Sequence, residues 1–253
     1  MSCNCQGTPF PKMYVVKSVT DARKTLFMNN QYNILSGIVP GETTSVLYGA
    51  NDFISMLHFL GSSQPQGIRF YFASYGDEGT VLVPKGYGHK MTIIITPIDA
   101  QYNDGKYYWI APGGSFNPSR SELDPVLAQA WIDNYKKVKL PALSLNIEHI
   151  PDNQDQNGNY TDTVSIWHKM ANLADFSSEI QCQFADGVKA NFATILSTEH
   201  RYQKRMIVQF SLTDPDGNDI YIDEDPTCRP QVPQTKDYDT GNPCPPATNC
   251  TGH

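Results

Sequence analysis

Long hydrophobic runs are missing from this chain. Its longest aliphatic stretch is Ile93-Ile94-Ile95, far short of the ~20 residues a membrane-spanning helix needs. The first residues, MSCNCQGTPFPKMYVV, lack the basic segment and apolar stretch of a secretory signal. A cytoplasmic protein is therefore expected, with leaderless export left open. Positive charge is also scarce: 19 Lys and Arg stand against 26 Asp and Glu, a formal net charge of −7. The cations are scattered singly, which excludes the basic stripe a nucleic-acid binder uses to displace counterions. Catalytic signatures are equally absent. No His-Glu-x-x-His occurs, and Gly113-Gly114-Ser115-Phe116 is not a nucleophile elbow. KGYGHKMT (85–92) has glycines and lysines without the P-loop order, and it enters a strand where phosphate binding needs a helix N-terminus.

What the chain does contain is enough material for a packed core. Hydrophobic residues make up 40% and charged residues 18%, with 14 Tyr and 11 Phe among the 253 residues, so wholesale disorder is not expected. GVKANFAT (187–194) reads as a second printing of GIRFYFAS (67–74). In the first, Ile68, Phe70 and Phe72 share one face and Arg69 and Tyr71 the other. In the second, Val188, Ala190 and Phe192 face Lys189 and Asn191.

Similar order surrounds both strands. TDARKTLFMNN reads as a helix, then a loop SGIVPGETTS, then a second helix NDFISMLHFLG capped by Asn51 and ended by Gly61. TVLVP, KMTIIITPID and KYYWI supply further strands. In the second half, SELDPVLAQAWIDNYKKV reads as a helix capped by Ser121 with Pro125 in its first turn. TVSIWHKMANLADF reads as the next helix, with Trp167, Met170, Leu173 and Ala174 inward, and KRMIVQFSLTD matches KMTIIITPID. Asp99 and Asp214 follow Met91 and Met206 at the same distance, as do Asn103-Asp104 and Asn218-Asp219. The expected fold is α+β: two tandem related units, each two helices packed on an antiparallel sheet, related by a pseudo-twofold. The divisions are an N-terminal arm (1–17), unit one (18–117), unit two (118–225) and a Cys/Pro-rich extended tail (226–253).

GIRFYFAS, GVKANFAT, the helix ending AWIDNYKK and the tail's CPPATNC carry a resemblance. The chain resembles a family of small, uncharacterised Bacteroidota proteins with a DNY-type helical segment, a GIR-aromatic strand and a Cys-Pro tail. The resemblance implies no known activity. The second copy departs from it, with Ala190 and Asn191 in place of the aromatic pair.

Candidate sites are few. Cys3, Cys5, Cys244, Cys250 and His253 would supply soft ligands for zinc if the two ends meet, although neither spacing is the C-x2-C knuckle of structural zinc sites. Free thiols or a disulfide compete with that reading. Asn153, Asp155 and Asn157 precede Gly158 as in a calcium loop, but Val164 stands where the bidentate Glu belongs, so a polar loop is expected. Asp214–Asp219 reads as a tight Asp-Gly turn. His58 and His168 fall in corresponding helices and read as structural. Arg69 and Lys189 occupy equivalent strand positions, where a solvated sheet face is expected over pairing with a carboxylate or partner chain. The function these features suggest is a non-enzymatic structural or interaction protein that self-associates into a homo-oligomer or larger assembly or binds another protein, its tail contributing contacts. The alternative is a small-ligand or metal-binding module at the termini or between the repeats. An enzyme with its site in the cleft between units is a third, weaker reading.

Overall fold

The computed structural model describes residues 17–80, 82–198, 202–220 and, for the backbone alone, 242–244. It is an α+β fold with two four-stranded antiparallel sheets. The first half supplies helices α1 (Lys17–Asn29) and α2 (Gln31–Ile38), strand β1 (Ser45–Gly49), helix α3 (Ala50–Gly61) and strands β2 (Gly67–Ser74) and β3 (Met91–Ile98). The second half supplies α4 (Pro118–Ser121), α5 (Pro125–Asn134), a π-helical turn (Tyr135–Lys139), α6 (Leu140–Ser144), β4 (Ser165–Lys169), α7 (Met170–Cys182), β5 (Gly187–Thr194), β6 (Met206–Thr213) and β7 (Asp219–Ile220). A last strand, β8 (Asn242–Cys244), comes from the tail. Among the described residues no helix is long and apolar enough to cross a membrane.

The halves trade elements. One sheet runs β1-β5-β6-β7 and the other β3-β2-β4-β8, so each takes a short strand from the opposite half. The two exchanges use matched registers: Ser45 lies opposite Asn191 and Gly49 opposite Gly187, while Ser165 lies opposite Tyr71 and Lys169 opposite Gly67. Helices follow their strands. α1 packs on β5, with Phe27 against Phe192 at 6.3 Å between ring centroids. α5 packs on β2, and Trp131 meets Tyr75 edge-on at 4.9 Å. α3 meets α7, where Phe53 contacts Phe176 edge-on at 6.0 Å. One apolar cluster containing Phe53, Phe70, Phe72, Phe192 and Phe176 therefore spans both halves.

Glycine is required where β2 and β5 begin, opposite the last residues of the exchanged strands. A Cβ on Gly67 would sit 2.3 Å from the His168 carbonyl oxygen, and one on Gly187 would sit 2.5 Å from Thr213 Oγ1 and 3.1 Å from the Tyr48 carbonyl oxygen. Only a residue without a side chain admits that approach.

Several local expectations change. SIWHK is strand β4, not the start of a helix, so His168 lies on a strand while His58 lies in α3. The switch from strand to helix takes one residue: Lys169 has φ −59° and ψ 140°, and Gly49, before α3, has φ −61° and ψ 140°. The segment SVLYG, which spans the last residue of the expected loop and the stretch before the expected helix, is β1, and the start of that loop belongs to α2. No strand forms among the described residues of 80–84, where Leu82 takes φ 64°. KYYWI contributes only isolated bridges, from Tyr108 to Ile95 and to Glu122. The cap of α5 is Asp124, whose side chain accepts from the Val126 and Leu127 N–H groups; Ser121 closes the separate α4.

Candidate functional site

Four polar features stand out against this frame, and the first is a pair of buried acids. Glu42 precedes β1 yet reaches the other sheet, where its Oε1 accepts the Met91 N–H at 2.6 Å. It also accepts the Thr43 N–H at 2.7 Å, and its Oε2 accepts from Lys139 Nζ. Asp162 precedes β4 and likewise crosses over, its Oδ1 accepting the Met206 N–H at 2.7 Å and the Thr163 N–H at 2.6 Å. Arg205 donates to the Asp162 carbonyl oxygen at 3.1 Å. Each acid thus fastens one sheet's entry strand to the first residue of the other sheet's long strand. Burial pushes the Asp162 carboxyl up, against the Arg205 charge and two backbone N–H bonds. It pulls the Lys139 ammonium down, partly offset by Glu42.

The second feature answers the question of the strand-face cations. Arg69 is only 8% exposed, and its Nη1 donates to Asp104 Oδ1 at 2.5 Å. Tyr71 and Tyr107 donate to Asp104 Oδ2 at 2.7 and 3.1 Å. At the matching place Lys189 donates to Asp219 Oδ1 at 3.1 Å, joined by Ser211 at 3.0 Å and by Lys24. The expected solvated sheet face is therefore a pair of partly buried ion-pair clusters. Their carboxylates are Asp104 and Asp219. Asp99 and Asp214 instead head turns, each accepting an Asn N–H at 2.8 Å, from Asn103 and Asn218 respectively. Burial raises the Tyr71 hydroxyl well above its usual range, and Tyr107 is pushed up to about 12 by burial and then by Asp104. These groups are held as hydrogen-bond donors and are not poised as bases.

Third is His168, 2% exposed, its ring 5.8 Å from Phe70 and 5.7 Å from Phe210. Neither ring nitrogen has a hydrogen-bond partner among the described residues. Burial pulls its pKa down to about 3 from the ordinary 6.5. The unfolded chain therefore binds a proton between pH 6.5 and 3 that the folded chain refuses, so stability falls as pH drops through that window. The loss is about 1.4 kcal/mol per pH unit, or about 2 kcal/mol by pH 5. His168→Phe should remove this share: urea midpoints of the variant at pH 7.5 and 5 should differ less than those of the parent chain. Equal acid losses in the two proteins would place the sensitivity elsewhere.

The fourth feature is a contrast between sheet edges. The bond from Phe72 N–H to the Val164 carbonyl, with that from Met170 N–H to the Gln66 carbonyl, fixes which β4 residues face β2. Residues 164, 166 and 168 do, which turns Ser165 and Trp167 outward. There the tail docks, Ser165 opposite Cys244, Ile166 opposite Pro243 and Trp167 opposite Asn242. In that register Pro243 directs its ring nitrogen away from β4, so its missing N–H costs no ladder bond and the new outer edge lacks a donor. β1, which pairs with β5 as β4 pairs with β2, ends its sheet with no strand beyond it among the described residues.

Of the residues singled out as soft ligands, Cys3, Cys5, Cys250 and His253 lie outside the described residues, and Cys244 is described only by its backbone in β8. Among the described residues no group of three His, Cys, Asp or Glu side chains is placed to hold a metal ion. The calcium-like loop closes on itself: Asp155 Oδ1 accepts the N–H groups of Asn157 at 2.8 Å and Asn159 at 2.9 Å. The β1 edge and the two acid clamps escaped sequence reasoning. Alternation in SVLYG, with Val46 and Tyr48 buried between more exposed neighbours, was the available signal for the first. No family model, curated protein or solved structure matches the chain.

Proposed function

We propose that this is a non-enzymatic structural or interaction protein whose body self-associates through sheet edges into a discrete homo-oligomer. The observation that carries the reading is the docking of β8 on β4, because the sheet takes an added antiparallel strand there by main-chain pairing. The titratable clusters support it: Arg69, Lys189, Glu42 and Asp162 spend their hydrogen bonds inside the fold, holding strands and turns together. Self-pairing suits a body in which β8 covers the β4 edge of one sheet while the β1 edge of the other meets no strand among the described residues, because pairing through one edge closes as a small oligomer and does not extend indefinitely.

Native mass spectrometry of the full chain, with and without a chelator, tests this. A discrete multimer carrying no metal mass is the expected result. A monomer with metal mass that the chelator removes would favour a metal-binding module, and a bare monomer would defeat the self-association reading outright.

A further inference from the structure

We propose that the outer edge of β1 joins two copies of this chain, β1 to β1 and antiparallel about a twofold axis, making one continuous sheet from two. The proposal rests on the self-association reading and names its surface. Polarity comes first. Ala50 N–H bonds the Asp186 carbonyl and Phe192 N–H the Thr44 carbonyl, both at 2.9 Å. Residues 44, 46, 48 and 50 therefore direct their backbone groups at β5, and the N–H and C=O groups of Ser45, Leu47 and Gly49 face outward. Among the described residues no strand pairs with this ladder.

Nothing in the strand's own sequence guards that ladder. Edge strands are ordinarily protected by a charge, a proline or a bulge. Ser45-Val46-Leu47-Tyr48-Gly49 has no charged residue and no proline, and its pairing with β5 runs residue for residue without a bulge. The matching edge of β4 ends in Lys169 and is covered by the proline-bearing β8. Leu47, at the centre of β1, is 47% exposed.

The occupant follows from self-complementarity. A twofold axis through Leu47 sets Leu47 against its own mate and Ser45 against Gly49. Two apolar side chains then meet at the centre and small residues at the flanks, with Val46 opposite Tyr48 between them. In a protein of net charge −7, an uncharged strand is also where two copies approach with no charge of their own to repel. The antiparallel sense is the one every strand pair here adopts.

Hydrogen exchange at the Leu47 amide, followed across protein concentration alongside sedimentation velocity, tests the proposal on the full chain. Leu47→Pro deletes an N–H that β5 does not use. Leu47→Lys places a charge on an exposed position as a second, independent block. The expected result is a dimer, Leu47 protection that rises with dimer population, and dissociation constants at least about tenfold weaker in both variants, with circular dichroism unchanged. An oligomer that survives both substitutions, with Leu47 exchanging as an open edge, would overturn the β1 surface while leaving self-association standing. A monomer at every concentration would overturn both. Protection independent of concentration and lost on deleting residues 1–16 or 245–253 would assign the edge to the chain's own termini and overturn the pairing of copies.

Discussion

Cut between Asn117 and Pro118, the chain should yield two fragments, neither of which folds as a monomer, and an equimolar mixture that recovers the intact fold. The reason is the exchange. Residues 1–117 hold β2 and β3, but the strand beside β2 and the helix over it, β4 and α5, belong to the other fragment. Residues 118–253 hold β5 and β6 without β1 or α1. Each fragment alone would expose one face of a long hairpin, widened in the second only by the two-residue β7, which is marginal in water, and would leave half of the shared aromatic cluster uncovered. Because the registers match, each fragment could also pair with a second copy of itself, β1 on β2 in the place of β1 on β5. Circular dichroism and sedimentation of each fragment and of the mixture decide the matter. A fragment that unfolds cooperatively as a monomer would mean that the exchange is not needed for folding.

The exchange was invisible in the sequence for a physical reason. Alternation and helical period report which face of an element is buried, and GIRFYFAS, GVKANFAT, KMTIIITPID and KRMIVQFSLTD were readable as strands on that basis. They do not report which copy of a similar strand lies alongside, since β1 on β5 and β1 on β2 satisfy the same local pattern. The short strands were hard for another reason. β1 and β4 have five residues each and run into helices with no intervening turn, so SIWHK merged with the helical period of MANLADF. Leu82 misled in the other direction, an apolar residue between valines held at positive φ.

The polar sites divide similarly. The matched positions of Arg69 and Lys189, and of Asn103-Asp104 and Asn218-Asp219, were legible as repeats. Their pairing was not, because it joins residues separated by a strand, a long loop and a turn. Glu42 sits in a run of Gly, Thr and Pro that reads as surface loop, and only the closeness of the two sheets makes it a core residue. Its side chain is fully enclosed, and that of Lys139 is 1% exposed.

That enclosure makes Glu42 a sensitive polar position. Glu42→Ala removes the acceptor of the Met91 and Thr43 N–H groups and leaves the Lys139 ammonium in the core without its countercharge. Breaking a buried pair from one side costs about 3–5 kcal/mol, a shift of about 1 M or more in the urea midpoint. The ion pair itself is not what stabilises the fold, since its attraction is spent largely on desolvating two charges. Glu42→Gln combined with Lys139→Met should therefore be far less damaging than Glu42→Gln alone. The amide oxygen still receives the Met91 N–H, and no charge is stranded. A double-mutant cycle from urea melts measures the difference. If the double variant is as unstable as the sum of its singles, the two side chains act independently, and the clamp between the sheets rests on the Met91 hydrogen bond alone.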